Sequence, residues 1–124
     1  MLGGSNISVF LATSQPEVSR LFYKEILGLE FVSEDDFAIV FNMNDTELRI
    51  SKVPSFTPQP FTVLDWHVPD ISKAVTALLN HDINFELFEG LNFSDDFVWT
   101  APDGVQVAWF KDPDGNMLSV SQRV

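Results

Sequence analysis

The pattern of apolar residues passes through one order of elements twice, and that repetition constrains the fold more than any single motif. In the first pass Ile7, Val9 and Leu11 alternate with Ser8, Phe10 and Ala12, the period of a half-buried strand. Pro16 suits the first position of a helix, and Val18, Leu21, Phe22 and Ile26 then recur at helical spacing. Gly28 stands where a left-handed residue would stop that helix. Glu30 to Ser33, Phe37 to Met43 and Glu47 to Val53 read as strands, with Asn44-Asp45 as a hairpin turn. In the second pass Thr62 to Val68 is the leading strand and Asp70 the N-cap of a helix striped by Ile71, Ala74, Val75 and Leu78. Asn84 to Phe88, Phe97 to Thr100, Val105 to Phe110 and Met117 to Ser121 then supply strands. Pro102-Asp103-Gly104 and Asp112-Pro113-Asp114-Gly115-Asn116 are turns, because Pro presets φ and Gly accepts a positive one.

Laid over each other, the halves put Ser8 on Val63 and Leu11 on Trp66, and beyond the helices Leu29 on Ile83 and Phe31 on Phe85. The expected fold class is therefore α+β, two tandem βαβββ modules spanning 6–53 and 61–122. Pro54, Pro58 and Pro60 make 54–60 a stiff connection that cannot continue a central strand. The second copy is less regular, with an interruption near Gly90. At 124 residues the whole is expected to be one domain, 1–124, large enough to bury a core without staples.

Composition removes several classes of function. With no cysteine there are no disulfides, thiolate metal sites or Cys nucleophiles, which fits a reducing, cytoplasmic setting. A net charge of −11 argues against a nucleic-acid backbone or an anionic membrane as partner. A dispersed negative surface is usually a solubilising device, and complementarity to a cationic ligand is the alternative. No apolar run approaches the roughly 18 residues of a membrane span, and Met1-Leu2-Gly3-Gly4-Ser5 lacks the basic start of a signal peptide. Twelve Phe and three Trp against one Tyr make the aromatic stock apolar.

Three stretches carry a family resemblance: Leu21-Phe22-Tyr23-Lys24-Glu25-Ile26-Leu27-Gly28-Leu29, Val68-Pro69-Asp70-Ile71, and Phe110-Lys111-Asp112-Pro113-Asp114-Gly115-Asn116-Met117-Leu118. With the duplicated order of elements, the chain resembles the vicinal oxygen chelate superfamily, which holds glyoxalase I, extradiol dioxygenases and bleomycin-resistance proteins. The resemblance implies curved mixed sheets around a cavity and a homodimer. In metal-dependent members it also implies four ligands, usually His, Gln or Glu, which suit divalent ions. Those positions fall here on Ser8, Val63, Ser119 and, at or beside it, Arg49. None is a good ligand, so the expectation is no metal and no cofactor, and none of the family's metal-polarised chemistry.

Alternation places Ser8, Phe10 and Ala12 on one side of their strand, Val63, Asp65 and His67 on one side of theirs, and Met117, Ser119 and Ser121 together on the last. The expected ligand-binding residues are Ser8, Phe10, Arg49, Asp65, His67, Trp99, Trp109 and Ser119. For Trp109 the parity stays open, since Gln106, Ala108 and Phe110 could face inward instead. An aromatic pocket with a few convergent polar groups is the usual form of a small-molecule site. The expected function is metal-independent sequestration of an organic ligand, aromatic or cationic. The alternative is a lyase, isomerase or dioxygenase relative with a replaced active site, working through Asp65, His67 or Arg49.

Overall fold

The computed structural model describes residues 1–124. The chain divides into two compact units, Met1–Thr57 and Pro58–Val124. Each contains one strand, one helix and a run of further strands, so the α+β duplication of the βαβββ order is present.

In the first unit β1 (Ser8–Thr13) leads to α1 (Pro16–Leu21), a π-helical turn (Phe22–Ile26), β2 (Glu30–Glu34), β3 (Ala38–Met43) and β4 (Thr46–Lys52). The sheet order is β1-β4-β3-β2, with β1 parallel to β4 and the other pairs antiparallel. Asn44 and Asp45 both have positive φ, 49° and 67°, the backbone of a two-residue hairpin turn matched to strand twist. Leu11, Ile39, Phe41, Leu48 and Ile50 are buried on the helix side. Glu34 ties three elements together, bonding Arg20 of α1 at 2.9 Å and Lys52 of β4 at 2.8 Å.

The helix departs from the expected stripe. Regular α-helix ends at Leu21, and the Leu27 N–H then donates to the Phe22 carbonyl at 3.0 Å across a wide turn that Gly28, at φ 73°, terminates. Ser19, Phe22 and Tyr23 are buried, while Val18 and Leu21 are exposed. Two overlapping stripes share Phe22, and burial goes to the one bearing Tyr23. Its ring meets Phe22 edge-on at 5.1 Å and Phe41 of β3 at 6.0 Å, contacts that Val18 and Leu21 could not replace.

The second unit runs β5 (Thr62–His67), α2 (Ile71–Leu79), β6 (Phe85–Glu86), β7 (Trp99–Thr100), β8 (Gln106–Lys111) and β9 (Met117–Gln122). The sheet order is β5-β9-β8-β6, and β7 also pairs with β8. The expected strands Asn84–Phe88 and Phe97–Thr100 are thus reduced to two residues each, on one edge of β8, with residues 87–98 leaving the sheet between them. The Asp70 carboxylate accepts from the Lys73 N–H at 3.2 Å and caps α2. Ile71, Val75 and Leu78 bury its inner face near Ala108, Phe110, Leu118 and Val120 of β8 and β9. At the β8–β9 turn the Asp112 carboxylate accepts the Asp114 and Asn116 N–H groups, and Gly115 takes φ 91°. No helix is long and apolar enough to cross a membrane.

Candidate functional site

Each unit presents a sheet face turned away from its helix. In the first, Ser8 lies across from Glu47, Phe10 from Arg49, and Arg49 from Val40. The Ser8 hydroxyl donates to Glu47 Oε2 at 2.6 Å, and Arg49 lies 3.8 Å from the same carboxylate. Phe10 is 62% exposed. Ser8 and Arg49 are brought together through Glu47, an acceptor that the sequence reading did not single out.

The second unit holds the denser arrangement. Asp65 lies across from Ser119, and Ser119 from Trp109, so all three share one face and one row of the sheet. This resolves the parity of β8: Trp109 faces the Asp65 side, while Ala108 and Phe110 are fully buried on the other. Trp99 pairs with Val107 and its ring lies 5.8 Å from that of Trp109. The segment leaving the sheet after β6 returns two more rings to Trp109, Phe88 edge-on at 5.0 Å and Phe93 at 6.1 Å. The indole N–H of Trp109 donates to Thr62 Oγ1 at 3.0 Å.

That last bond reflects a slip in β5. Thr62 pairs with Met117 but Leu64 with Leu118, so the ladder passes over Val63. The extra residue brings both Thr62 and Asp65 to the Ser119 face, although strict alternation would separate them. Val63, the residue expected there by counting, is therefore accompanied by a hydroxyl that already serves an indole.

Asp65 is the polar centre of this face. Ser119 donates to its Oδ1 at 2.6 Å and Ser121 to its Oδ2 at 2.7 Å, each from a side chain only 2% exposed. Arg123 reaches Oδ2 at 3.5 Å, and His67 Nε2 lies 3.5 Å from the same atom. The shortest contact of Arg123 Nη2 is to His67 Nε2, at 2.7 Å. A guanidinium can only donate, so in this contact the ring nitrogen Nε2 is the acceptor.

Asp65, His67 and Ser119 are thus brought together, as are Trp99 and Trp109. Sequence reasoning missed Thr62 and Arg123, set Ser121 on the Ser119 face without counting it among the site residues, and missed Phe88 and Phe93 as partners of Trp109. Phe88 and Phe93 flank Gly90, which marks the break in the strand there.

These side chains do not fit the divalent metal that the sequence resemblance implies for metal-dependent glyoxalase-type proteins. The Ser8 and Ser119 hydroxyls direct their protons to carboxylates. Val63 has no donor atom, and Arg49 brings a fixed positive charge.

The fold is that of the glyoxalase and bleomycin-resistance proteins, as the sequence resemblance implied. The chain is similar to a lactoylglutathione lyase from Agrobacterium tumefaciens, with 16% identity over 96% of this chain and 93% of that one, TM-score 0.74. It is also similar to TnmS3, an antibiotic binding protein from Streptomyces sp. CB03234, at 18% identity over 100% and 99%, TM-score 0.73. A glyoxalase/bleomycin resistance protein/dioxygenase from Nocardioides aligns at 17% identity over 97% and 83%, TM-score 0.72. No family model and no curated protein matches the sequence.

Proposed function

We propose that this protein binds a small organic molecule on the Trp99–Trp109 face without a divalent metal, as a sequestering protein rather than a catalyst. The observation that carries the reading is the row Asp65–Ser119–Trp109. It sets a hydrogen-bonded carboxylate on the same face as an indole held by Thr62 and flanked by Phe88, Phe93 and Trp99. Apolar rings beside a few fixed polar groups are what a ligand pocket needs. The antibiotic-binding protein from Streptomyces, with the same fold, supports the assignment. Ile7, Val18, Leu21 and Phe37 leave apolar surface uncovered in a single chain, which supports a homodimer, and the absence of cysteine supports a cytoplasmic setting.

The alternative, acid–base catalysis at Asp65 and His67, is disfavoured by Arg123. Its donation to Nε2 occupies the lone pair that a general base would use. A turnover abolished by His67→Ala in a folded protein would restore that alternative.

The test is a thermal-shift and Trp-fluorescence screen of neutral, cationic and anionic aromatic compounds, with and without Zn, Ni or Mg. A ligand at a hundredfold excess over Kd adds about 2.7 kcal/mol of stability, well within detection. Stoichiometric metal in the purified protein would overturn the metal-free reading, and silence across all three compound classes would overturn the binding reading.

A further inference from the structure

Asp65 is held firmly but used incompletely. Ser119 and Ser121 take one position on each oxygen, at 2.6 and 2.7 Å. A carboxylate accepts at about four positions, and this one is 25% exposed. What reaches the remaining capacity is Arg123, and it does so poorly. An arginine beside a carboxylate ordinarily forms a short two-pronged pair, whereas here Nη2 stands 3.5 Å from Oδ2 and donates instead to His67 at 2.7 Å. Lys111, the other cation on this sheet, is engaged 3.5 Å from Glu86.

We propose that Arg123 is a tethered stand-in for a ligand's cationic nitrogen. The ligand's amidinium or ammonium donates to Asp65, its aromatic body lies against Trp109, and Arg123 yields the carboxylate while keeping His67. The spacing suits a planar cation of one or two rings. Asp65 and Trp109 sit two strands apart in one row, about 10 Å at the usual strand separation. A cation near the indole face gains a cation–π term besides the charged hydrogen bond. Affinity for cations is then set by competition inside the chain, which makes Arg123 a specificity residue that selects against weakly basic ligands. The inference rests on the binding function proposed above and names its ligand class.

The experiment titrates the full chain with 2-naphthamidine, neutral 2-naphthamide and anionic 2-naphthoate at constant ionic strength. Trp fluorescence is the readout, and near-UV circular dichroism confirms folding. Wild type is expected to bind the amidine more tightly than the amide. Arg123→Ala, an exposed position, should tighten the amidine about two- to fivefold, the size of releasing a partly exposed ion pair, and shift the amide by less. Asp65→Asn should weaken the amidine by about tenfold or more, and the amide by clearly less.

An amidine affinity unchanged or lowered by Arg123→Ala overturns the proposal, even if Asp65→Asn misfolds. Naphthoate binding best and lost in Arg123→Ala overturns it too, and makes Arg123 and His67 an anion site. Amide and amidine binding equally, with both variants neutral, removes the inference but leaves the aromatic binding face standing. If none of the three binds, both readings fall.

Discussion

Replacing Asp65 with Ala is expected to destabilise the protein by about 2–4 kcal/mol, although the side chain is a quarter exposed. The cost arises at its partners. The Ser119 and Ser121 hydroxyls lie on β9, each 2% exposed, and both direct their protons to Asp65. A buried donor left without an acceptor costs about 1–3 kcal/mol, and there are two. Water entering the space vacated by a partly exposed carboxylate offsets some of this, which keeps the estimate in the lower half of the summed range. The Arg123 contact adds little, being long and exposed. The same reasoning makes a stricter claim about the triple variant Asp65→Ala, Ser119→Ala, Ser121→Ala. With donors and acceptor removed together nothing buried is left unsatisfied, so it should recover to within about 1 kcal/mol of wild type. Urea unfolding followed by Trp fluorescence measures this directly, because Trp66, Trp99 and Trp109 all lie in the second unit. The midpoint should move while the slope stays constant. A single variant within about 0.5 kcal/mol of wild type, or a triple variant no more stable than the single, would refute the argument.

In the first unit, hydrogen bonds from Lys52 and then Arg20 hold the Glu34 carboxyl below its usual 4.5. A depressed folded value stabilises above the unfolded pKa and is lost as pH falls through the folded one, so Glu34→Gln should cost about 1 kcal/mol at pH 7. The gap to wild type should close as pH is lowered from 4.5. Asp35, held low by the Phe37 and Ala38 N–H groups, titrates alike in both proteins, and a gap that stays constant with pH would contradict the assignment. Gly115→Ala should cost about 1–3 kcal/mol by thermal unfolding, because its φ is 91° and a Cβ would come within 3.1 Å of Pro58 Cγ. Gly3→Ala, with nothing within 4 Å, is the matched control and should leave the midpoint unmoved.

What could be read along the chain is what residues do to their immediate neighbours. Asn44-Asp45 as a hairpin, Asp70 as an N-cap and Gly28 and Gly115 at positive φ depend on chemistry within a few residues, and all are present. The two-residue period of strands likewise put Asp65 and His67 on one side of β5, and Ser119 and Ser121 on one side of β9. The order of elements followed from the same local signals, and with it the α+β duplication.

Tertiary structure decided whatever depends on partners distant in sequence. The two stripes of the first helix are offset by one residue, and the tilted contact of Tyr23 with Phe41 on β3, at 6.0 Å, selects between them. Alternation within β8 cannot say which of its faces meets a helix, so Trp109 was settled by α2 covering Ala108 and Phe110. The slip at Val63 exists only as a relation to β9. Asp65 reaches Ser119, Ser121 and Arg123 across 54, 56 and 58 residues, with no pattern in the intervening chain to announce the contact. Local chemistry is encoded residue by residue. A site assembled from separate strands exists only once the strands have chosen their register, and that choice is made by burial summed over the whole sheet.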